Sequence, residues 1–488
     1  MTVRSTVAHS VPRWLLRMAM FAVAAVVANP AAAAAQEEYA TLASLEVTTE
    51  SEMAAERFWA GMDNFENIFF RSGATHMAAA LEADAEFGLA HVLYGRWAPG
   101  LSGAERQEMI SKGIAMMNDA STAEVLFATA LKEWQAGNTE EAKAAVYAAA
   151  SMVPGDPHVA FYAAWIEGIG DNLASVIAMR EMTERFPDFA PAYNILGYGL
   201  FNAGDQEGAL KAMRTYVKLN PDHPNPHDSY AELLQRAGRL PMAKAEYEKA
   251  LALDSDYQAA HTGLAEVAFL MGDRDRVYEQ LEMAIEKASS EQGALNARRA
   301  LAAAYVMHND HQNAVSNLQQ VVKVATEREF NNIAANAHRQ LAAIDAMRNV
   351  AAMTDHLNAA AELGGGADTP FQLWWTAMTY LIAGRTADAQ APATALAGKV
   401  EDAPNWNTGS RTINAWIAIQ QDNCKLARNE LVQADPTNSL VQVLAGKCYM
   451  MGGMKPQAEQ FRSKVLYDPQ VNFFNTATPF IYLQAKKI

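Results

Sequence analysis

Apolar residues recur along this chain at helical spacing. Between Tyr193 and Pro221 they fall at Tyr193, Leu196 and Leu200, and again at Leu210, Met213 and Val217, on either side of Gly204. Residues three and four apart share one face of a helix, so the stretch predicts two short amphipathic helices joined at a glycine turn. The turn glycines Gly170, Gly204, Gly238 and Gly272 are spaced by a constant step of 34 residues. Two further columns keep that step: Ala163, Gly197, Ala231 and Ala265, then Ser175, Ala209, Ala243 and Val277. Three columns in phase define an internal repeat. Asp171, Asp205 and Asp273 follow turn glycines, where a side-chain oxygen can cap the orphan N–H groups of the second helix. Pro187 and Pro221 close their units, because proline cannot continue a helix interior. Two helices cross closely only where neither carries a bulky side chain, which accounts for the small residues at the crossing.

This pattern resembles the tetratricopeptide repeat. In the unit from Ala190 the matching residues are Tyr193, Leu196, Gly197, Leu200, Gly204, Ala209, Met213 and Pro221, and the next unit matches at Leu234, Gly238, Ala243, Tyr247 and Ala250. The resemblance implies an all-α fold, an α-solenoid in which stacked helix-turn-helix repeats form a right-handed superhelix with a concave groove for a peptide or protein partner. It also implies which positions of each first helix line that groove: here Asn194, Tyr198, Asn202, Asp228, Glu232, Gln235, Arg236, Glu266 and Phe269. The Lys and Asn pair with which some members clamp a terminal carboxylate is missing at these places.

The repeat organises the rest of the chain. Residues 36–122 read as degenerate repeats, with Gly61, Ala80 and Gly95 at small positions and an inserted helix near "SGAERQEMISKGIAMMNDA". A regular array follows over 123–363, although Asn309 and Ala314 fall three residues late. The glycine-rich 364–369 reads as a hinge, and 370–488 as further repeats with a cap. About ten hairpins are predicted.

Length and composition sharpen this picture. A chain of 488 residues is long for one core, but a solenoid escapes the limit because each repeat packs only on its neighbours. At the start, Arg4, Arg13 and Arg17 precede "MAMFAVAAVVA", with Ala33 and Ala35 before Gln36. That reads as a secretory signal peptide over 1–35, hence an exported, periplasmic or extracellular protein starting at Gln36. Its apolar run is too short to span a membrane. Removing three arginines takes the formal net charge from −16 to 36 − 55 = −19, which argues against nucleic acid as a partner. Cys424 opens the second helix of one unit and Cys448 lies late in the first helix of the next. Antiparallel packing of those helices can bring the two within the roughly 4.4–6.8 Å between Cα atoms that a disulfide needs. Such a bond would staple a last repeat that has a neighbour on one side only.

Candidate chemistry is sparse. His308 and His311 supply at most two ligands, Asp222, His223, His227 and Asp228 lie near a turn, and HExxH is absent, so neither metal nor cofactor is expected. Trp374 and Trp375 are adjacent and point to different sides of one helix, so at least one belongs in the core. No phosphate-binding loop and no nucleophile elbow occurs. A non-enzymatic interaction scaffold is therefore expected. The alternatives are a structural accessory of an envelope assembly or secretion complex, and an exported enzyme built on isolated residues such as His227, Asp228 and His261. Asp228, Glu232 and Glu266 would make the groove acidic and suited to a basic or amide-rich peptide.

Overall fold

The computed structural model describes residues 43–488. The expected signal peptide over 1–35, and the start at Gln36, lie outside the described residues. Those residues form twenty-five α-helices and one 3-10 turn, with no strand among them. They group into two compact units, the first ending at Ile195 and the second running Leu196–Ile488.

In the first unit, Glu52–Glu66 pairs with Phe70–Ala83, Gly88–Trp97 with Gly103–Ala115, Thr122–Ala136 with Thr139–Met152, and Pro157–Glu167 with Asn172–Arg185. The segment expected to be an inserted helix is therefore Gly103–Ala115, the second helix of an ordinary hairpin. Its identity was hidden because its crossing residue Gly113 faces Gly88 rather than an alanine, and the joining turn is longer than in the regular units. Residues 43–50 run without helix over these hairpins. Leu45 donates its N–H to Asp156 at 2.9 Å, and Thr48 donates from both N and Oγ1 to Glu124.

The second unit continues the same construction. Pro224–Arg236 pairs with Leu240–Leu253, Gln258–Met271 with Arg274–Glu286, and Glu291–Met307 with His311–Glu327. Asn331–Arg348 pairs with Met353–Leu363, Pro370–Ile382 with Thr386–Lys399, Asn407–Gln420 with Cys424–Leu431, and Ser439–Met451 with Lys455–Leu466. These pairs are eleven hairpins among the described residues, against about ten expected; Ala190–Asn202, which holds the boundary between the units, Gln206–Leu219 and a last helix Thr478–Ala485 are further helices.

The repeat columns have direct structural meaning. Gly204, Gly238 and Gly272 adopt φ of 87°, 75° and 80° with open space around them, and Asn309, three residues late, takes the same left-handed role at 61°. Asn tolerates this region better than most residues, so the helix pair there is lengthened without losing its turn. Asp205 accepts from Gly208 N at 2.9 Å and Asp273 from Arg276 N at 3.2 Å, as caps should. At the closest crossing, a Cβ on Gly263 would lie 2.1 Å from Tyr247 Cζ.

The glycine-rich 364–369 lies inside the second unit, whereas the boundary between compact units falls at Ile195–Leu196. The loop is bridged from helix to helix: Arg339 Nε donates to Gln372 Oε1 at 3.0 Å, and the Arg339 guanidinium also reaches Ala360 O. Cys424 and Cys448 stand with Cα atoms 5.4 Å apart and are joined as a disulfide. The last hairpin is not left with one neighbour. The helix Thr478–Ala485 covers it, through Val443, Val465 and Ala485 and a bond from Lys447 Nζ to Gln484 Oε1 at 2.8 Å.

Candidate functional site

Of the groove residues expected in the second unit, Tyr198 and Asn202 lie on Ala190–Asn202, and the others gather on the first helices of two adjacent hairpins, Pro224–Arg236 and Gln258–Met271. Both helices bury apolar residues, among them Leu233, Leu234, Leu264 and Ala265, and bring Asp228, Glu232, Gln235 and Glu266 together. There they line a recess of about 450 Å³, shared with Arg236, Thr262 and Tyr247. Residues Gln470, Val471, Asn472 and Phe474 close one side of it.

Repeat-to-repeat hydrogen bonds consume several of these side chains. Tyr198 OH donates to Glu232 Oε2 at 2.7 Å and Arg236 Nη2 to Asn202 Oδ1 at 3.3 Å, each across 34 residues. Arg236 also lies 3.6 Å from Glu232 and stacks over the Phe201 ring. Gln235 joins the floor by donating to Glu266 Oε2 at 3.1 Å while accepting from Tyr247 OH at 3.3 Å. Phe269 does not face an open groove, because Phe473 packs edge-to-face on it at 5.5 Å. Asn194 belongs to the first unit, where it is buried and its side-chain oxygen has no hydrogen-bond partner.

Burial reshapes the electrostatics. Burial, reinforced by the charges of Glu232 and Glu266, raises Asp228 to about 8. Burial raises Glu266 to about 7, against the lowering effect of its bonds from Gln235 and Phe473. Three formal charges therefore overstate the negative potential of the recess near neutral pH, since two of the acids bind protons far more readily than usual. Asp228 Oδ1 is buried with no hydrogen-bond partner. An acid that keeps its proton in the fold favours the folded state at low pH, and loses that contribution as pH rises from its unfolded value near 4 to its folded value near 8. Asp228→Asn is therefore expected to raise Tm by at least about 2 °C at pH 8.5 and to change it little at pH 4. Calorimetry at the two pH values checks this, and an equal shift at both would contradict it.

The histidines of the enzyme alternative are structural bridges within hairpins. His227 Nδ1 meets Glu246 Oε2 at 2.7 Å and His261 Nδ1 meets Gln280 Oε1 at 2.9 Å. Their Nε2 atoms meet the carbonyls of Pro221 and Ser255. Both ring nitrogens are thus engaged in each, which ties these side chains to orientation of the hairpin. His308 Nδ1 pairs with Tyr278 OH at 2.9 Å. Trp375 is fully buried and Trp374 partly so.

Two features escaped the sequence. The first is a ladder of buried arginines. Arg299 donates to Gln340 Oε1 at 3.1 Å and to Asn296 Oδ1, and Arg339 donates to Gln372 Oε1 and to Asn336 Oδ1. The recurring "NARR" and "NAHR", with Asn296/Arg299 and Asn336/Arg339 at equal internal spacing, were the available signal. The second is the segment 467–477, which lies over the groove and carries no repeat signature.

The helix pairs, their left-handed turn residues and their small-residue crossings define the class: an all-α solenoid of tetratricopeptide-type repeats. No family model matches the chain, and no curated protein matches it. Among solved structures, the thermophilic TPR protein TTC0263 of Thermus thermophilus is 21% identical over 38% of this chain and 99% of its own, with a TM-score of 0.33. PilF of Pseudomonas aeruginosa is 16% identical over 42% of this chain and 91% of its own, at 0.34. The type IV pilus biogenesis factor PilW is 16% identical over 41% and 92%, at 0.36.

Proposed function

We propose that this protein is a non-enzymatic interaction scaffold, exported by its leader 1–35, whose recess on Pro224–Arg236 and Gln258–Met271 receives a basic side chain from a partner segment. The observation that carries this reading is Asp228 Oδ1, buried without a partner in a recess it shares with Glu232 and Glu266. A buried acceptor left unpaired is costly, and an ammonium or guanidinium would satisfy it. Such a cation would also draw Asp228 and Glu266 into their charged forms, so binding releases protons. The engagement of His227 and His261 in hairpin bonds supports a binding role over catalysis.

The test uses nine-residue peptides carrying Lys, Arg, Gln or Leu at the central place. The Lys and Arg peptides are expected to bind most tightly. The triple variant Asp228→Asn, Glu232→Gln, Glu266→Gln should weaken them at least about tenfold and flatten their salt dependence. Unchanged affinity in the triple variant would move the site elsewhere. For export, N-terminal sequencing of protein recovered from its own cells is expected to begin at Gln36, and an intact Met1 on the accumulated protein would overturn that part.

A further inference from the structure

The segment 467–477 leaves the helix Lys455–Leu466 and crosses the recess without helical structure before Thr478–Ala485 begins. It is held by its core-facing side chains, with Phe473, Thr476 and Ala477 buried and Val471 packed on the apolar cluster beneath. The Phe473 ring is fully buried in the apolar cluster that includes Ala265, Ala268, Ala304 and Met307, and it packs on Phe269; this is its socket. Phe473 N–H donates to Glu266 Oε1 at 3.1 Å, and Arg299 Nη2 donates to Thr476 Oγ1 at 2.8 Å. The neighbouring Tyr467 and Phe474 are exposed. The segment keeps its own shape by short-range bonds: Asp468 Oδ1 accepts from Gln470 N, Asn472 Oδ1 from Phe474 N and Asn475 N, and Asn475 Oδ1 from Ala477 N.

These contacts are those a groove gives a bound peptide: an apolar socket, a carboxylate for one backbone N–H, and a guanidinium for one side-chain oxygen. One need is unmet. The strap residues that line the recess, Gln470, Val471, Asn472 and Phe474, include no cation, and Asp228 Oδ1 stays unpartnered beneath them. The strap is therefore an incomplete ligand.

We infer that the strap 467–477 is an internal stand-in for the partner, and that the partner is a turn-forming segment with an aromatic residue in the Phe473 socket, a hydroxyl or amide about three places later for Arg299, and a base where the strap has Gln470 or Asn472. It binds by displacing the strap. This rests on the proposed role of the recess and adds the partner's aromatic anchor and the self-occupied resting state. Apparent affinity is then the intrinsic affinity reduced by the fraction of molecules whose strap is open.

The experiment uses the full chain and two labelled peptides, DPQVNFFNTA, which copies 468–477, and the same peptide with Lys in place of its first Asn. In Phe473→Ala, which vacates the socket, the copied peptide is expected to bind at least about tenfold more tightly than to the wild-type chain. The Lys peptide should bind more tightly again, and that gain should disappear in Phe473→Ala combined with Asp228→Asn and Glu266→Gln. In the wild-type chain, which removes any question of folding, saturating Lys peptide should speed hydrogen exchange at the amides of 470–476. No binding of either peptide to a folded Phe473→Ala chain, or bound peptide with unchanged exchange of the strap, would overturn the inference and leave the strap a fixed brace. Tight binding of the copied peptide with no gain from Lys would instead overturn the acidic-recess reading, while the aromatic socket and the displaceable strap stand.

Discussion

Trp375→Ala is expected to destabilise the second unit by about 4 kcal/mol, within the range for deleting a buried aromatic ring. Trp375 is the largest fully buried side chain among the described residues. It lies in the cluster that runs from Leu295 to Leu483, and Phe480 of the last helix packs edge-to-face on it at 6.0 Å. Its indole N–H donates to Arg339 O at 3.0 Å, which couples the ring to the arginine ladder. The truncation therefore opens a cavity between repeats and removes a support of the helix that follows the strap. Trp375→Phe keeps most of the volume and loses the donor, and should cost about 1–2 kcal/mol. Trp374, partly exposed, should cost less when cut to Ala. Chemical denaturation of the full chain, with hydrogen exchange of Pro370–Ile382 as the local probe, gives the ranking. A loss below about 1 kcal/mol for Trp375→Ala would mean that this core relaxes around the gap.

Breaking the bond between Cys424 and Cys448 is the second large effect. The residues lie 24 apart in sequence, and closing a loop of that size is worth about 3.5 kcal/mol in the chain-entropy account. The double variant Cys424→Ala, Cys448→Ala should lose about that much in the hairpins Asn407–Leu431 and Ser439–Leu466. Those hairpins should then open before the rest of the second unit. Because Thr478–Ala485 covers the last hairpin, the loss is expected to appear as earlier local opening while the strap and its helix keep their protection. Thiol counting on denatured, non-reduced protein should find no free thiol. Two free thiols, or equal denaturation of oxidised and double-variant protein, would remove the bond from the stability of this region.

The two cysteines also show how far the repeat frame reaches. Once Cys424 is placed at the start of a second helix and Cys448 late in the next first helix, antiparallel packing sets their distance, and the 5.4 Å between their Cα atoms is a consequence of local periodicity. Trp374 and Trp375 follow the same logic, since adjacent residues on a helix cannot share a face. The helix Gly103–Ala115 does not. It keeps the amphipathic spacing but meets its partner glycine to glycine at Gly88 and Gly113, so it falls out of phase with the small-residue columns while still making the same hairpin.

In the regular units the sequence by itself determined the helices, the turns, the crossings and the register of the repeat. All of these depend on residues within one 34-residue unit or its neighbour, where spacing along the chain fixes placement in space. Its resemblance to the tetratricopeptide repeat also marked Asp228, Glu232, Gln235, Arg236 and Glu266 as groove positions. Only the tertiary structure decided what stands over them. The bond from Phe473 N to Glu266 spans 207 residues and that from Arg299 to Thr476 spans 177, and no periodicity relates the two ends of either. Tertiary structure likewise decided the ionisation of Asp228 and Glu266, because a carboxyl's affinity for its proton is set by how much water and charge the whole fold leaves around it. Neither quantity is a property of the residues between two turns.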